Sequence, residues 1–457
     1  MDAGPEVRDF LPMPTPSRCT RAVLYAATLA ATLAATLAAT LAATLAATLA
    51  APIASAQDPA RLGFDPGRLA RLDTLMQQAV DSSAVAGAVA LVLRDGQVVY
   101  QRAVGWADKE AKRTMTTDAI FRIASQSKAL TSVAIMMLVE EGRIALTDPV
   151  SRWLPSFAKT TVANRADTGR TVTPARRQIR IFDLLTHTAG ISYGTDAFVA
   201  ERYRAAGLGP AAGFGWYTAD KSETICASMD RLGTLPFVSQ PGEAWVYGYN
   251  TDILGCVVER ASGLALDEFF RRRITGPLGM TDTDFYLPSA KRARLATVYR
   301  SDSDGHVVRA DTGAKGQGHY VDGPRVSFSG GAGLLSTAKD YATFLQMLLD
   351  HGTAGGKRLL SPRSVELMTT NQVGTLYGAP GQGFGLGFST TDRLGAGGYN
   401  SVGTFGWGGA YASAYQVDPA ERIVFVMMLQ TIPNGSDLPR KFPTLVYQAL
   451  VAPAARP

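Results

Sequence analysis

Three serines in this 457-residue chain have a lysine three positions later, a spacing that could support nucleophilic catalysis. The pairs are Ser125 and Lys128, Ser156 and Lys159, and Ser336 and Lys339. Residues three apart lie on one face of a helix, so hydroxyl and amine could share a hydrogen bond. A neutral amine there could take the serine proton and turn the oxygen into a nucleophile. The spacing alone does not select one pair.

The surroundings of the three pairs differ. Ser156 follows Leu154-Pro155 and precedes a polar stretch without apolar periodicity, which predicts a loop. Ser336 precedes an amphipathic pattern and is predicted to be its N-cap. Ser125 begins the segment SQSKALTSVAIMMLVEEG, whose centre is apolar on nearly every face. Such a pattern is typical of a helix buried inside a domain, and it favours Ser125 as the nucleophile.

Burial of the amine would matter for catalysis. A lysine in water is protonated, with a pKa of about 10.4, and cannot accept a proton. A low dielectric and the positive end of a helix dipole both favour a neutral amine, and the same helix end favours a serine alkoxide. The alternative is that Ser125 caps a core helix while Lys128 extends to solvent.

Five sequence blocks place the first pair in a wider pattern. They are FRIASQSK at 121–128, DLLTHTAG at 183–190, PGEAWVY at 241–247, GGAGLLST at 330–337, and GWGG at 406–409 before VDP at 417–419. In this order they resemble the serine β-lactamase and penicillin-binding superfamily, specifically esterases similar to class C β-lactamases, the family VIII carboxylesterase type. The resemblance covers residues 60–450. It implies an α+β, β-lactamase/transpeptidase-like fold, with an antiparallel sheet flanked by terminal helices and a mostly helical inserted region.

The resemblance implies that Tyr247 is the third catalytic group, relaying a proton between Ser125, Lys128 and the leaving group. In the family this tyrosine is commonly followed two places later by Asn, whereas Asn250 comes one position late. Asn250 is therefore a candidate substrate-binding residue or a helix N-cap. Tyr249 is a rival for the catalytic position, and the alternative for Tyr247 is a core aromatic with a tethered hydroxyl.

The third family motif, usually Lys-Thr-Gly, corresponds here to Trp407-Gly408-Gly409. Glycines there would let an acyl group lie against a strand, and the amide of Ala410 would join that of Ser125 in an oxyanion hole. A tryptophan in place of lysine removes a cation for the carboxylate of a β-lactam and favours neutral esters. The alternative is that Trp407 packs on a strand and the glycines form a bulge.

A second serine motif competes with the first. Gly190-Ile191-Ser192-Tyr193-Gly194 matches the Gly-x-Ser-x-Gly elbow of α/β-hydrolases, but residues 181–188 read as a helix rather than the buried strand an elbow needs. His187 is predicted to be structural, and the segment Gly381–Gly387 a loop beside the site.

Both ends of the chain contain strand and helix signals. Residues 66–81 predict a helix, followed by a hairpin turning at Asp95-Gly96. Residues 411–417 and 423–429 predict two further strands, with a helix around 442–451. We expect one antiparallel sheet from both ends (about 57–145 and 320–457) and a helical insertion at about 146–319, with helices at 181–185, 251–261 and 339–349.

The amino terminus has the composition of an export signal. Residues 22–57 carry no charge, follow Arg18 and Arg21, and end near Ala54-Ser55-Ala56. We expect residues 1–56 to be a signal peptide cleaved near Ala56, with an uncleaved anchor or an inert low-complexity leader as alternatives. The protein is then periplasmic or secreted. Cys226 and Cys256 would be the remaining thiols and could pair there.

Composition excludes several function classes. The chain is 46% hydrophobic and 18% charged, with a formal charge of +6 spread along it, so neither disorder nor nucleic-acid binding is expected. The cysteines have no zinc spacing, and no metal or other cofactor is expected. The resemblance implies an acyl-enzyme serine carboxylesterase for small, short-chain esters, with β-lactam hydrolysis or acyl transfer as side activities. The alternatives are a β-lactamase or D-amino peptide hydrolase, an acylated binding protein without turnover, and an α/β-hydrolase using Ser192.

Overall fold

The central sheet is built from both ends of the chain, as predicted. The structure, a computed structural model, describes residue 1 and residues 58–209, 217–313 and 316–454. The predicted signal peptide, apart from Met1, lies outside the described residues. In the described part of the chain no helix is long and apolar enough to cross a bilayer.

The strands fall into one large sheet and several small ones. The sheet has the order β13-β14-β15-β16-β17-β1-β2-β3, and the small sheets pair β10 with β4, β11 with β12, β8 with β9, and β5 with β6 and β7. Their bounds are β1 Gly87–Arg94, β2 Gln97–Asp108, β3 Arg113–Thr114, β4 Phe121–Arg122, β5 Thr161–Ala163, β6 Val172–Pro174, β7 Pro236–Phe237, β8 Tyr299–Ser301, β9 Val307–Arg309, β10 Leu335–Ser336, β11 Thr353–Ala354, β12 Lys357–Arg358, β13 Gln382–Phe384, β14 Ser389–Thr391, β15 Phe405–Gly408, β16 Ala414–Asp418 and β17 Ile423–Met428.

The helices lie at both chain ends and in the middle region. Their bounds are α1 Pro66–Asp81, α2 Ser127–Glu140, α3 Ile181–Leu185, α4 Ala200–Ala205, α5 Ile225–Leu232, α6 Asn250–Ser262, α7 Leu266–Phe270, α8 Gly276–Leu278, α9 Ala338–Leu349, α10 Pro362–Thr369 and α11 Leu438–Gln448. A π-helical turn, Arg271–Thr275, joins α7 to α8.

Strand β1 separates two cores. It pairs with β17 on one side, with Val89 opposite Met428, and with β2 on the other. All its residues are buried, because alternate side chains enter opposite cores. Ala88, Ala90 and Val92 pack with residues of α1 and α11, whereas Val89, Leu91 and Leu93 belong to the core around α2. The two terminal helices therefore cover one face of the sheet, and the core around α2 lies against the other.

Helix α2 is buried from Ser127 to Leu138, as its apolar sequence predicts. It has no solvent face because the sheet lies on one side and α6 on another. Ser125 precedes this helix in a short 3₁₀ turn, Ala124–Gln126. The helical predictions at 66–81 and 181–185 are confirmed with identical bounds, and those near 251–261 and 339–349 are confirmed to within a residue.

Three local predictions are wrong. The segment Gly381–Gly387 is not only loop, since Gln382–Phe384 forms edge strand β13; its glycines mask the strand signal. The last helix begins at Leu438 rather than near 442, because Pro439 is tolerated in a first turn. Ser336 lies on β10, and the side chain of Thr337 caps α9 by accepting from the Asp340 N–H at 3.1 Å.

Candidate active site

Ser125 and Lys128 are placed together as the sequence pattern predicts. Lys128 is 2% exposed, and its Nζ lies 3.2 Å from Ser125 Oγ. The residue before the serine, Ala124, has a φ of 43°, in the left-handed region that alanine rarely adopts. Such strain persists only where packing imposes it, and it recurs at functional sites. The amine therefore does not extend to solvent, which excludes the alternative in which Lys128 is an exposed side chain on a core helix.

The amine of Lys128 has two further polar contacts. Its Nζ donates to Gly331 O at 2.8 Å and lies 3.0 Å from the hydroxyl of Tyr193. A neutral amine has two N–H donors and one lone pair. One donor is used by Gly331 O and the other can go to Tyr193, which leaves the lone pair for the Ser125 proton.

Tyr193 is a site residue that the sequence reasoning missed. It lies inside the Gly190–Gly194 motif, where attention falls on its neighbour Ser192. Burial raises the pKa of the Tyr193 phenol well above its usual value, and the neighbouring Tyr247, Asp252 and Tyr249 raise it further. Tyr193 therefore stays a neutral hydroxyl. Ser192 is buried and its Oγ accepts from the Gly194 N–H at 3.1 Å, so it does not form an exposed nucleophile.

Tyr247 lies beside Lys128 within an aromatic cluster. The Nζ of Lys128 is 4.6 Å from the centre of the Tyr247 ring, and the indole N–H of Trp407 donates to the Tyr247 hydroxyl at 3.2 Å. The indole of Trp245 stacks on the same phenol ring, with centroids 5.7 Å apart. Tyr249 points elsewhere: it is buried and its hydroxyl accepts from the Gly209 N–H at 3.0 Å. The geometry places Tyr247, rather than Tyr249, beside the lysine and in one cavity with the serine.

Asn250 lies behind the site rather than in it. It is fully buried, and its Nδ2 donates to His187 Nδ1 at 2.9 Å and to Val246 O at 3.2 Å. The N-cap position of α6 is Tyr249, so Asn250 does not cap the helix either. Burial lowers the pKa of His187, and the neighbouring Lys128 lowers it further. The histidine is therefore a neutral ring that packs against Tyr247, with the two ring centroids 4.9 Å apart.

The end of strand β15 approaches the serine closely. Trp407 pairs with Tyr415 and Gly408 with Ala414, so the ladder between β15 and β16 runs without a bulge. A Cβ on Gly409 would lie 2.5 Å from the carbonyl oxygen of Ile123, so only glycine fits there. Because Ile123 is two residues before Ser125, this contact brings Ala410 to the nucleophile, and both residues line one cavity.

That cavity has a volume of about 640 Å³. Its lining combines the serine, members of the aromatic cluster and two prolines of α11. Its lining includes Ser125, Tyr193, Tyr247, Trp407, Tyr377, Gly408, Pro439 and Pro443. Among the described residues, those that line it carry no Asp, Glu, Lys, Arg or His. The cavity is thus suited to uncharged molecules.

The other two Ser-x-x-Lys pairs have structural contacts. Ser156 lies in a 3₁₀ turn and its Oγ donates to Asp230 Oδ1 at 3.2 Å. The Ser336 hydroxyl is buried and lies 2.8 Å from that of Thr283. No group of three or more His, Cys, Asp or Glu in the described ranges could hold a metal ion. A disulfide joins Cys226 on α5 to Cys256 on α6, with Cα atoms 5.3 Å apart.

Known proteins match most of the length of this chain. Residues 72–448 match the beta-lactamase family model, so the chain belongs to the beta-lactamase family, as its sequence blocks predict. It is 37% identical over 382 residues to Protein Rv1367c of Mycobacterium tuberculosis, covering 79% of this chain and 90% of that one. It is 31% identical to Esterase EstB of Burkholderia gladioli, covering 84% and 96%.

A solved structure extends the comparison to the fold. EstCE1, described as a hydrolase with promiscuous acyltransferase activity, matches with a TM-score of 0.70 at 28% identity, over 84% of this chain and 99% of EstCE1. The α+β, β-lactamase-like fold is thereby confirmed. The chain is accordingly an enzyme, a β-lactamase-like serine hydrolase.

Proposed function

We propose that this enzyme is a carboxylesterase that acylates Ser125 and acts on uncharged, short-chain esters. One observation carries the proposal: the Ser125 hydroxyl lies 3.2 Å from the buried amine of Lys128, in a cavity without charged lining among the described residues. The esterase and hydrolase names of relatives support the same reaction class.

In the acylation step, Lys128 takes the Ser125 proton as Oγ attacks the ester carbonyl carbon. The carbonyl electrons move to oxygen, and the N–H groups of Ser125 and Ala410 stabilise that oxyanion. When the oxyanion collapses, the bond to the alcohol oxygen breaks. The alcohol leaves with a proton passed on from Lys128 through the hydroxyl of Tyr247.

In the second step, water attacks the acyl-enzyme. Tyr247 and Lys128 take the water proton, and Ser125 leaves with a proton as the acid is released. An alcohol in place of water would make the same site an acyltransferase. The activity described for EstCE1 supports including acyl transfer as a side reaction.

The uncharged lining favours esters over the main alternative substrates. β-Lactams and D-Ala-D-Ala peptides both carry a carboxylate, and burying a carboxylate beside an uncharged lining is costly. Trp407 occupies the motif position of a lysine and offers an indole N–H, which is already donated to Tyr247. We therefore place β-lactamase or D-amino peptide hydrolase activity second, as a weak side reaction.

We also propose that the enzyme is exported to the periplasm or secreted. The uncharged leader with basic residues before it supports this. The disulfide between Cys226 and Cys256 supports it independently, because such bonds persist mainly in oxidising compartments. The proposed substrates are small esters, no nucleic-acid partner is expected, and stable membrane association would require the leader to be retained.

The decisive test is mass spectrometry of enzyme quenched with a slow ester or a phosphonate. The adduct should lie on the peptide containing Ser125, and Ser125→Ala should be unlabelled and inactive. Ser192→Ala is the matched control and should retain activity, whereas the opposite pattern would overturn the assignment.

The substrate proposal has its own test. Turnover of a short nitrophenyl ester should exceed that of a chromogenic cephalosporin and of a D-Ala-D-Ala peptide. A stoichiometric burst without turnover on the ester would instead identify an acylated binding protein.

A further inference from the structure

Asp252, on helix α6, is a buried carboxylate that the proposed mechanism does not use. It is 1% exposed and is absent from the cavity lining. Its Oδ1 accepts from the hydroxyl of Ser329 at 2.5 Å and from the N–H of Gly331 at 3.1 Å. Its Oδ2 is buried without a hydrogen-bond partner in the described chain. A buried carboxylate with one unpaired oxygen is costly to maintain and calls for a reason.

The contacts of Asp252 lead directly to Lys128. Ser329 Oγ donates to Asp252 and accepts from the N–H of Ala332 at 3.0 Å. That N–H belongs to the same peptide unit as Gly331 O, which accepts from Lys128 Nζ at 2.8 Å. The four groups form one continuous hydrogen-bond chain from carboxylate to amine. Each bond in such a chain polarises the next, so a negative charge at one end favours a positive charge at the other.

The glycines of the Ser329-Gly330-Gly331-Ala332 segment are required by this arrangement. A Cβ on Gly331 would lie 2.6 Å from Asp252 Oδ2, and one on Gly330 would lie 2.7 Å from the carbonyl oxygen of Thr251. The segment can therefore reach the lysine only because neither residue has a side chain.

Several titratable groups face this hydrogen-bond chain. Those around Asp252 and Lys128 are His187, Tyr193, Tyr247 and Tyr249. Burial raises the pKa of Asp252, while the charge of Lys128 and the bonds from Ser329 and Gly331 oppose that rise. Within this group the carboxylate supplies the negative charge that can offset a cation at Lys128.

We propose that Asp252 is a positioning residue that sets the proton affinity of Lys128 through Ser329 and the Gly331–Ala332 peptide; this rests on the proposed function. The carboxylate acts from the far end of the hydrogen-bond chain, without entering the cavity, and favours a proton on the amine. It also stabilises the ammonium that forms when Lys128 takes the serine proton.

Asp252→Asn tests the proposal, since the amide retains an acceptor oxygen but loses the charge. The active neutral amine should then persist to lower pH, so the acidic limb of the kcat/KM profile should move down by about one pH unit. The plateau should fall about tenfold, because a weaker base drives the reaction less. The same acid shift should appear in the pH dependence of Ser125 phosphonylation, which needs no natural substrate.

Two further variants make the test decisive. Ser329→Ala interrupts the chain and should move the acidic limb in the same direction by less. Asp340→Asn is the matched control: its carboxylate is also buried and accepts from the Asp282 N–H at 2.8 Å and the Thr283 hydroxyl at 3.1 Å, away from the cavity. Asp340→Asn should lower thermal stability and leave the acidic limb of the kcat/KM profile at the wild-type pH.

If Asp252→Asn has the same acidic limb of the kcat/KM profile as the wild-type enzyme, the inference is overturned. If that variant does not fold, an unchanged acidic limb in Ser329→Ala would overturn it instead. The proposed function fails separately, when the phosphonate labels a residue other than Ser125 in the wild-type enzyme. Labelled Ser125 with unshifted variants would remove only the role of Asp252.

Discussion

Trp407 and Trp245 provide a matched pair for measuring what one hydrogen bond does at Tyr247. Both indoles contact the phenol ring, with centroids 5.5 Å and 5.7 Å away. Trp407 donates its N–H to the Tyr247 hydroxyl at 3.2 Å, whereas the N–H of Trp245 is buried without a hydrogen-bond partner in the described residues. Replacing each with Phe removes similar packing, but only Trp407→Phe removes a hydrogen bond. We expect Trp407→Phe to lower kcat/KM more than Trp245→Phe.

The ratio of kcat/KM between the two variants depends on the charge that Tyr247 carries during the reaction. A hydrogen bond to a neutral phenol contributes about 0.5–1.5 kcal/mol, which corresponds to about 2- to 13-fold in rate. A hydrogen bond to a charged acceptor contributes about 1.5–3 kcal/mol, or about 13- to 160-fold. If Tyr247 carries phenolate character in the transition state, the ratio between the two variants falls in the upper range.

The assay is steady-state hydrolysis of a nitrophenyl ester, with melting temperatures measured for both variants so that unfolding is not counted as lost catalysis. The same pair should also be made in a Tyr247→Phe background, where the two substitutions should have equal effects. If the two substitutions lower kcat/KM equally in the enzyme that retains Tyr247, a role for the indole N–H is refuted. The aromatic cluster would then be packing alone.

Three further predictions concern other parts of the site and the fold. Gly409→Ala should lower kcat about 10²- to 10³-fold, because the new Cβ would push against Ile123 O and move an oxyanion donor; an unchanged kcat would place the oxyanion elsewhere. Tyr193→Phe should lower kcat/KM at least about tenfold by removing a partner of Lys128, and a loss seen only as a lower melting temperature would contradict this. Cys226→Ala should lower the free energy of unfolding in denaturant by about 3–4 kcal/mol, from the 30-residue separation that the disulfide closes, and reduced wild-type enzyme should match it.

The sheet and its flanking helices could be predicted because their signals are local. The Asp95-Gly96 turn lies between strongly apolar runs, and β1 and β2 meet there as expected. Helix α1 has apolar residues at helical spacing, and Asp65 caps it with a hydrogen bond to the Arg68 N–H. Patterns of this kind depend only on residues that are close in sequence, so a single sequence is enough to predict these elements.

The groups around Lys128 could not be predicted in the same way. Its partners come from three distant segments, at Ser125, Tyr193 and Gly331, and no local periodicity links them. Tyr193 is inconspicuous because the motif around it draws attention to the adjacent serine. Asn250 was misleading because it stands close to the family pattern, although its side chain turns inward to a histidine.

The pairing of β1 with β17 has a consequence for synthesis of the chain. Until Ile423–Met428 leaves the ribosome, one edge of an eight-residue apolar strand has no partner. Open apolar edges invite intermolecular pairing, and pairings between distant segments form slowly. A nascent chain ending before β17 should therefore depend on chaperones to avoid aggregation, and no such fragment should hydrolyse esters.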